Sequence, residues 1–261
     1  MINSIETITS TFSLQMKQSF ARPMYKFCLI IQPIIYTILT YMMFKNSGHE
    51  NFISYVVLGT GILSLWSCIC FSSAGDIERE RFMGTLQVIY CTPTSFKLIM
   101  FGKILGNTLL GLVPFTISFG IVKVFFGGQV YISDPLKFVI GMLVTILSFI
   151  GISLAFSAIF TLSRNSRMLM NCIEYPIYIL CGVLFPIEIL PKWILPLSYI
   201  LSPTWAVRVL RAGVNGISDS KVFYNDLGIL LMLTAVYFIF SYILFDVIDK
   251  RARIQATLEV S

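Results

Sequence analysis

The sequence predicts an all-α membrane protein with six transmembrane helices in one domain over residues 1–261. The chain is 56% hydrophobic and only 12% charged, with a mean hydropathy of +0.83, whereas soluble domains carry about 25% charged residues. Its apolar residues form continuous runs of about the 20 residues that a helix needs to cross a bilayer. Membrane β-strands would instead alternate apolar and polar residues.

The N-terminal residues 5–22 are predicted to form an amphipathic helix that lies flat at the membrane interface. Apolar side chains recur there at spacings of three and four, which is the helical period: Ile5, Ile8, Phe12, Met16 and Phe20. The alternative is a frayed terminus, and the five-residue stripe favours the helix. No cleavable signal peptide is expected, because no small-residue cleavage site follows the first apolar run.

The six spans are predicted from uncharged or nearly uncharged runs: 27–44, 52–75, 104–122, 138–163, 168–184 and 227–245. Between the last two, residues 193–207 are uncharged but short for a span. Pro196 and Pro203 would break a helix interior there. We therefore expect short outer re-entrant helices in this region; the alternative is a seventh, broken span.

The basic residues predict the orientation of the chain. With six spans, twelve Lys and Arg side chains fall in the segments on the side of the N-terminus and seven in the opposite segments. Four of those seven lie in one long loop, where the positive-inside rule is weakest. Both termini are therefore predicted to be cytoplasmic, in a multi-pass protein of the plasma membrane.

A compact charged segment, residues 76–95, separates spans 2 and 3. Asp76 stands where a helix N-cap would be, and Glu78–Arg81 are predicted to follow on a short helix. Gly84 allows a change of direction, and Thr85 is expected to cap a second short helix that ends before Pro93. Charge pattern alone leaves two interpretations open: a solvated connection, or a rigid knob that docks on a partner.

The sequence offers little that would support catalysis. It contains no GxxxxGK[ST] nucleotide loop, so any ATP would have to be hydrolysed by another chain. His49 is the sole histidine, and no metal or cofactor site is predicted. The six cysteines are expected to be unpaired, small buried side chains. The bases lie at the ends of spans, where they meet lipid headgroups, so nucleic acid is not expected as a partner.

Glu174 is an acidic residue within the fifth predicted span. A charge there costs about 2.5–3.5 kcal/mol on insertion scales, so it should face protein or water. Three interpretations are open: contact with substrate in a path, packing between subunits, or pairing with Arg164 or Arg167, which we favour. Asn171 is three residues earlier and is expected to share a polar patch with Glu174.

Two blocks of sequence resemble the type 2 permeases of ATP-binding-cassette (ABC) transporters. The segment ERERFMGTLQVIYCTPTS is similar to their cytoplasmic loop at Glu78, Arg79, Glu80, Gly84, Thr85, Leu86 and Pro93, with Gln87 where glutamate is common. The segments GVLFPIEILP and LSPTWAVRVLR resemble the stretch that follows their fifth span.

The resemblance implies the sites of such a permease. The coupling segment, which would dock on separate ATPase subunits, comprises Asp76, Glu78, Arg79, Glu80, Arg81, Gly84, Thr85, Leu86 and Pro93. The outer gate, within residues 185–226, comprises Phe185, Pro186, Glu188, Pro191, Trp193, Pro203 and Arg211.

The resemblance also implies partners and a substrate class. A second permease copy or a related permease would complete the path, and membrane lipid would surround it. The substrate would be lipophilic or amphipathic: a drug, antibiotic, peptide or lipid-like molecule, exported. The alternative from another class is a membrane scaffold or immunity protein that acts by binding, without an ATPase.

Overall fold

The computed structural model describes residues 4–45, 52–92, 94–126, 132–162, 166–183, 187, 190–216 and 220–255. Their regular structure is helical throughout, as predicted. The helices are α1 Ser4–Ala21, α2 Pro23–Lys26, α3 Gln32–Phe44, α4 Phe52–Phe82, α5 Thr85–Cys91, α6 Phe96–Leu110, α7 Val113–Phe126, α8 Pro135–Leu162, α9 Ser166–Leu180, α10 Leu195–Ile200, α11 Ser202–Asn215 and α12 Ser220–Gln255; a π-helical turn, Phe27–Ile31, joins α2 to α3.

Among the described residues, five helical stretches are long and apolar enough to cross a membrane: Pro23–Phe44, Ile53–Phe82, Phe96–Phe126, Pro135–Thr161 and Ser220–Ile248. The fifth predicted span corresponds to α9, whose apolar part, Met168–Leu180, is shorter. At 1.5 Å per residue, the 15 residues of α9 rise about 22 Å, less than the roughly 30 Å of a hydrocarbon core. Gly182, with a φ of 65°, turns the chain just beyond α9. A sixth span therefore stays a prediction.

Helix α4 is the central helix of the bundle. It packs against α3, α7, α8, α9 and α11, and Trp66 at its middle is almost fully buried. The indole ring meets Phe149 and Phe156 of α8 edge to face, at centroid distances of 5.9 and 5.8 Å. Such pairs contribute about 0.5–1.5 kcal/mol beyond their buried area, so the α4–α8 contact anchors the core.

The predicted boundary at the end of span 2 was wrong. We expected a helix to end near residue 75 and a new one to begin at Asp76, but α4 continues to Phe82 without interruption. Asp76 is therefore an interior helical residue, not an N-cap. The 31 residues of α4 rise about 46 Å, so the helix is longer than a bilayer core is thick, and its charged last turns need not lie in lipid.

Helix α1 covers nearly all of the predicted N-terminal helix and packs lengthwise on α6. Its buried face is polar: Thr7, Gln15 and Ser19 are buried. The backbone of α1 approaches closely at Gly102 of α6, where an added Cβ would lie 2.8 Å from the carbonyl oxygen of Ile8. The predicted apolar stripe is half-buried or exposed. Its position at the membrane interface stays a prediction.

Residues 193–207 form parts of two short helices, which are separated by extended backbone at Leu201. At their junction, the Tyr237 hydroxyl near the middle of α12 donates to the Ile200 carbonyl oxygen, at 3.1 Å. At the other end of α11, the amide of Ser133 donates to the Val214 carbonyl oxygen, at 3.2 Å. Helix α11 packs along α12 from its middle toward its start, where Arg208 of α11 pairs with Asp226 of α12. Helices α10 and α11 are each too short to cross a bilayer.

Candidate functional site

The turn between α4 and α5 exposes a group of large apolar side chains. Phe82 is 93% exposed, Met83 59% and Val88 63%. Gly84 lies between the two helices with a φ of 69°, in the left-handed region that favours glycine. We call Phe82–Val88 the α4–α5 corner. Leu86, which we had placed in the docking segment, instead points into the hydrophobic core and is 2% exposed.

Hydrogen bonds hold the α4–α5 corner in place. The Thr85 hydroxyl donates to the carboxylate of Glu80 and to its backbone oxygen, the latter at 3.2 Å. The Lys103 ammonium on α6 pairs with the second oxygen of the same carboxylate. Thr85 therefore does not cap α5 as expected: Gly84 occupies the N-cap position, and the Thr85 side chain ties α5 back to the last turn of α4.

A second buried polar cluster surrounds Asp76. Its carboxylate, 3% exposed, pairs with the Arg22 guanidinium at the end of α1. It also accepts hydrogen bonds from the side-chain amides of Gln15, at 2.8 Å, and Asn107, at 2.9 Å. The Ser19 hydroxyl donates to the Asn107 side-chain oxygen, at 2.8 Å. This Asp76 cluster joins α1, α4 and α6 through a single carboxylate.

Most of the charged side chains of the predicted coupling segment that are described thus form contacts within the protein. Arg81 donates to the Thr161 carbonyl oxygen at the end of α8, at 2.8 Å. Glu78 and Arg79 are half-buried, and Pro93 lies outside the described residues. We had not singled out Phe82, Met83 and Val88, which are the most exposed large apolar side chains among the described residues of this segment. The signal that would have found them is the pair of large apolar residues, Phe82 and Met83, directly before Gly84, with Val88 one turn into the next short helix.

At the other end of the bundle, Arg211 of the predicted outer gate connects three helices. Its guanidinium donates to the carbonyl oxygens of Gly182, at 3.1 Å, and Val183, at 3.0 Å, just after α9 ends. It also lies over the ring of Tyr55 on α4, 4.0 Å from the centroid. Helix α11 thereby holds the ends of α4 and α9 together.

The other predicted gate residues are more scattered. Pro203 is buried in the first turn of α11, whereas Pro191 and Trp193 are exposed, Trp193 by 80%. Phe185, Pro186 and Glu188 lie outside the described residues. Next to Arg211 along the helix, Arg208 pairs with Asp226 of α12 at 3.1 Å.

Glu174 is buried among polar side chains of neighbouring helices, with 3% of its surface exposed. Its Oε1 accepts hydrogen bonds from the hydroxyls of Ser67 on α4 and Tyr178 on α9. The side chains of Arg164 and Arg167, its expected partners, lie outside the described part of the chain. Asn171 is exposed rather than buried with Glu174, so the expected shared patch is not formed. The offset of about 60° between positions three apart on a helix leaves Asn171 outside the contact of Glu174 with α4.

The described cysteines and acidic residues form no cluster that suggests a metal centre. Among the residues that the structure describes, no three His, Cys, Asp or Glu side chains come together. The cysteines are unbonded thiols, but Cys91 and Cys172 are exposed, against the expectation that all six would be buried.

Comparison with known families decides the class of the protein. The sequence profile of the ABC-2 type transporter family matches residues 7–215. The chain belongs to the ABC-2 type transporter family. It is therefore an ABC-type permease domain, an integral membrane component of transport rather than a catalytic domain. The match includes the α4–α5 corner, the Asp76 cluster, Glu174 and Arg211.

One curated relative supports the same class. ABC transporter G family member 20 of Dictyostelium discoideum is 26% identical to this ABC-2 chain over 168 residues, which is 64% of this chain and 23% of the relative. The chain thus corresponds to less than a quarter of that protein's length.

Proposed function

We propose that this ABC-2 permease is the membrane subunit of an exporter whose ATP is hydrolysed by separate ATPase subunits that dock on the α4–α5 corner. The observation that carries the proposal is the exposure of Phe82, Met83 and Val88 in one turn, which hydrogen bonds from Thr85 to Glu80 hold in place. Contiguous exposed apolar side chains mark interaction sites, and the length of α4 lets its last turns stand beyond the hydrocarbon core.

The contacts behind the corner provide a route for motion into the bundle. A push on α5 would reach α6 through Thr85, Glu80 and Lys103, since these side chains form one hydrogen-bonded chain. It would reach α8 through Arg81. Helix α4 itself is unbroken from the corner to Tyr55, where it meets Arg211. ATP-driven movement of the ATPase would therefore be carried along α4 to the opposite end of the bundle.

The remaining parts of the proposal concern the path. Two permease subunits, identical or related, would enclose it within the lipid, with both termini in the cytoplasm. The helices α10 and α11 would re-enter the membrane from outside and would part when Arg211 releases the end of α9. A lipophilic or amphipathic substrate suits a path between apolar helices; ATP and Mg²⁺ would be bound by the ATPase alone.

Copurification tests the docking. The double variant Phe82→Ser, Val88→Ser should lose most of the ATPase that copurifies with the wild-type chain, because it removes apolar contact area from the corner. Its matched control is Val124→Ser, Phe125→Ser at the far end of α7, where the two side chains are likewise exposed, by 76% and 77%. That control should retain the ATPase.

Two results would count against the proposal. Equal ATPase recovery from both double variants would mean that the α4–α5 corner is not the docking surface. If no protein with a nucleotide-binding loop accompanies even the wild-type chain in its native membrane, a scaffold or immunity protein that acts by binding becomes the better account.

A further inference from the structure

The first turn of α6 is held against α12 near the C-terminal end of α12. The Lys97 ammonium pairs with the carboxylate of Asp246 and lies over the ring of Tyr242, 3.6 Å from its centroid. Beside it, Phe96 meets Phe245 edge to face, at a centroid distance of 5.8 Å. Tyr242, Phe245 and Asp246 are three and four residues apart, so one face of α12 makes all of these contacts. We call these five side chains the α6–α12 latch.

The position of Lys97 indicates that this contact is more than incidental packing. A base in the first turn of a helix is unfavourable, because the helix dipole is positive at that end. Helix α6 begins at Phe96 and has no acid in its first turn, so Asp246 of α12 supplies the negative charge that this end of α6 lacks. A residue that breaks a local rule in this way has its reason in the tertiary structure or in function.

Helix α12 carries an ion pair at each end of its uncharged stretch. Residues 227–245 are uncharged and rise about 28 Å, which is close to the thickness of a hydrocarbon core. Asp246 follows this stretch on the side of the α4–α5 corner. Asp226 precedes it on the other side, where it pairs with Arg208 of α11 at 3.1 Å. Between the two, the Tyr237 hydroxyl donates to the carbonyl oxygen at the end of α10. Helix α12 thus connects the start of α6 to α10 and α11.

We propose that the α6–α12 latch makes α12 move with the first turn of α6, so that Lys97 and Asp246 carry motion from the α4–α5 corner to α10 and α11. This inference rests on the ATPase docking proposed above and adds a second route beside α4. Movement of α5 reaches α6 through Thr85, Glu80 and Lys103, and the latch passes it to α12. Helix α12 otherwise packs mainly on α8 and α11, so the latch is a discrete joint.

The latch can be broken without unfolding the chain. The side chains of Lys97 and Asp246 are 25% and 46% exposed, and ion pairs of this kind add little to stability. A loss of coupling in a variant can therefore be separated from a loss of fold. Lys137 and Asp134 provide a matched control pair, because their side chains are 24% and 43% exposed but lie only three residues apart in the chain.

Thiol labelling tests the latch in the full-length chain, purified with its ATPase and placed in lipid nanodiscs. A reporter cysteine replaces Leu197, an exposed residue of α10, after the exposed Cys91 and Cys172 have been changed to serine. Its labelling rate with a membrane-impermeant maleimide is measured with and without MgATP. Lys97→Ala and Asp246→Ala should each keep the ATPase and an unfolding midpoint within about 2 °C of the wild type. Each should lose about half or more of the ATP-dependent change in labelling rate, since one of two routes is cut.

Three further variants separate the pairing from other effects. Asp134→Ala should keep the whole ATP-dependent change, because its pair joins no second helix. The double alanine variant of Lys97 and Asp246 should lose no more than either single variant, since residues that act as a pair are not additive. The exchange variant Lys97→Glu, Asp246→Lys restores an ion pair with its charges reversed and should recover most of the change.

The possible failures of the latch and of the exporter proposal can be told apart. Equal ATP responses in the wild type and in both single alanine variants would overturn the latch and leave the exporter proposal intact. Loss of the ATPase from Lys97→Ala would place Lys97 on the docking surface instead, and an exchange variant that recovers nothing would mean that the pairing carries no motion. A wild-type chain without an ATPase, or without any ATP response, would refute the exporter proposal and the latch with it.

Discussion

At the residue scale, the charges of residues 76–81 divide into those that hold the bundle together and those at its edge. Asp76 and Glu80 each bind a base from another helix, and both of these pairs are largely buried. A buried ion pair contributes little net free energy, but breaking one by removing a single partner costs about 3–5 kcal/mol. We therefore expect loss of either acid to destabilise the fold, and this effect must be separated from any effect on coupling.

Asp76→Ala should reduce the free energy of unfolding by about 3 kcal/mol, because Arg22, Gln15 and Asn107 all lose their acceptor. The measurement is thermal unfolding of the purified chain in detergent. Asp246→Ala serves as control, since Asp246 forms an exposed pair with Lys97 in which its side chain is 46% exposed. Such a pair contributes about 0–1 kcal/mol. Equal losses for the two variants would contradict the importance given to the Asp76 cluster.

Residue identity was enough to single out the segment 76–95, but not to say which way its side chains point. Alternating acids and bases suggested a surface made for a partner. The structure directs Glu80 toward Lys103 and Arg81 toward Thr161, and it leaves Phe82 and Val88 outside. The direction of a side chain depends on where its helix ends. That point could not be read from the sequence, because charges are tolerated in a helix that leaves the membrane.

At the scale of elements, two turns set the geometry: Gly84 after α4 and Gly182 after α9. Both have positive φ. Gly84 makes α5 leave the axis of α4 at the point where the corner forms, so its conformation determines how the exposed side chains are presented.

Gly84→Ala should destabilise the chain by about 1–2 kcal/mol, because an L-residue pays that cost in the left-handed region. The added methyl group meets no atom within 4 Å, so the effect would be one of backbone strain alone. Gly75→Ala is the matched control: its methyl group also meets nothing within 4 Å, but Gly75 lies inside α4. It should stabilise the chain by about 0.5–1 kcal/mol. A lower unfolding midpoint for Gly84→Ala and a higher one for Gly75→Ala would confirm that Gly84 needs the left-handed conformation. Changes of the same sign in both variants would refute it.

Arg211 links elements that are distant in sequence. Arg211→Ala should cost about 2 kcal/mol, because the carbonyl oxygens of Gly182 and Val183 lose charged donors. Arg211→Lys should recover less than half of this, since an ammonium cannot reproduce a planar fork that also lies over the Tyr55 ring. Thermal unfolding measures both variants, with Lys123→Ala at the exposed end of α7 as control. Full recovery by lysine would show that charge alone matters.

Helix boundaries could be predicted where the local sequence sets them. The predictions failed where contacts with other helices set the boundary. The prolines in residues 193–207 predicted that no long helix forms there, and two short helices are found. The extension of α4 to Phe82 depends on contacts with α1, α6 and α8, which hydropathy does not reveal. The packing of α1 by its polar face was missed for the same reason: the apolar stripe was visible in the sequence, but the polar partners on α6 were not.

At the scale of the whole molecule, the fold class and the family follow from the sequence. The path of coupling along the bundle is instead a proposal that rests on the structure. One long central helix, α4, has the exposed corner at one end and the contact of Tyr55 with Arg211 at the other. The proposal that a separate ATPase drives this ABC-2 permease requires a surface on which that ATPase can dock. The α4–α5 corner exposes apolar side chains and is held by the hydrogen bonds of Thr85 to Glu80, which suits that role.

Site-specific photocrosslinking in native membranes tests this claim most directly. A photoreactive residue would be placed at Val88 in one chain and at Phe125, at the far end of α7, in another; both positions are exposed. We predict that the probe at position 88 forms an adduct with an ABC ATPase, identified by its nucleotide-binding loop, and that the probe at position 125 does not. An ATPase adduct from position 125 alone, or from neither position, would contradict the account.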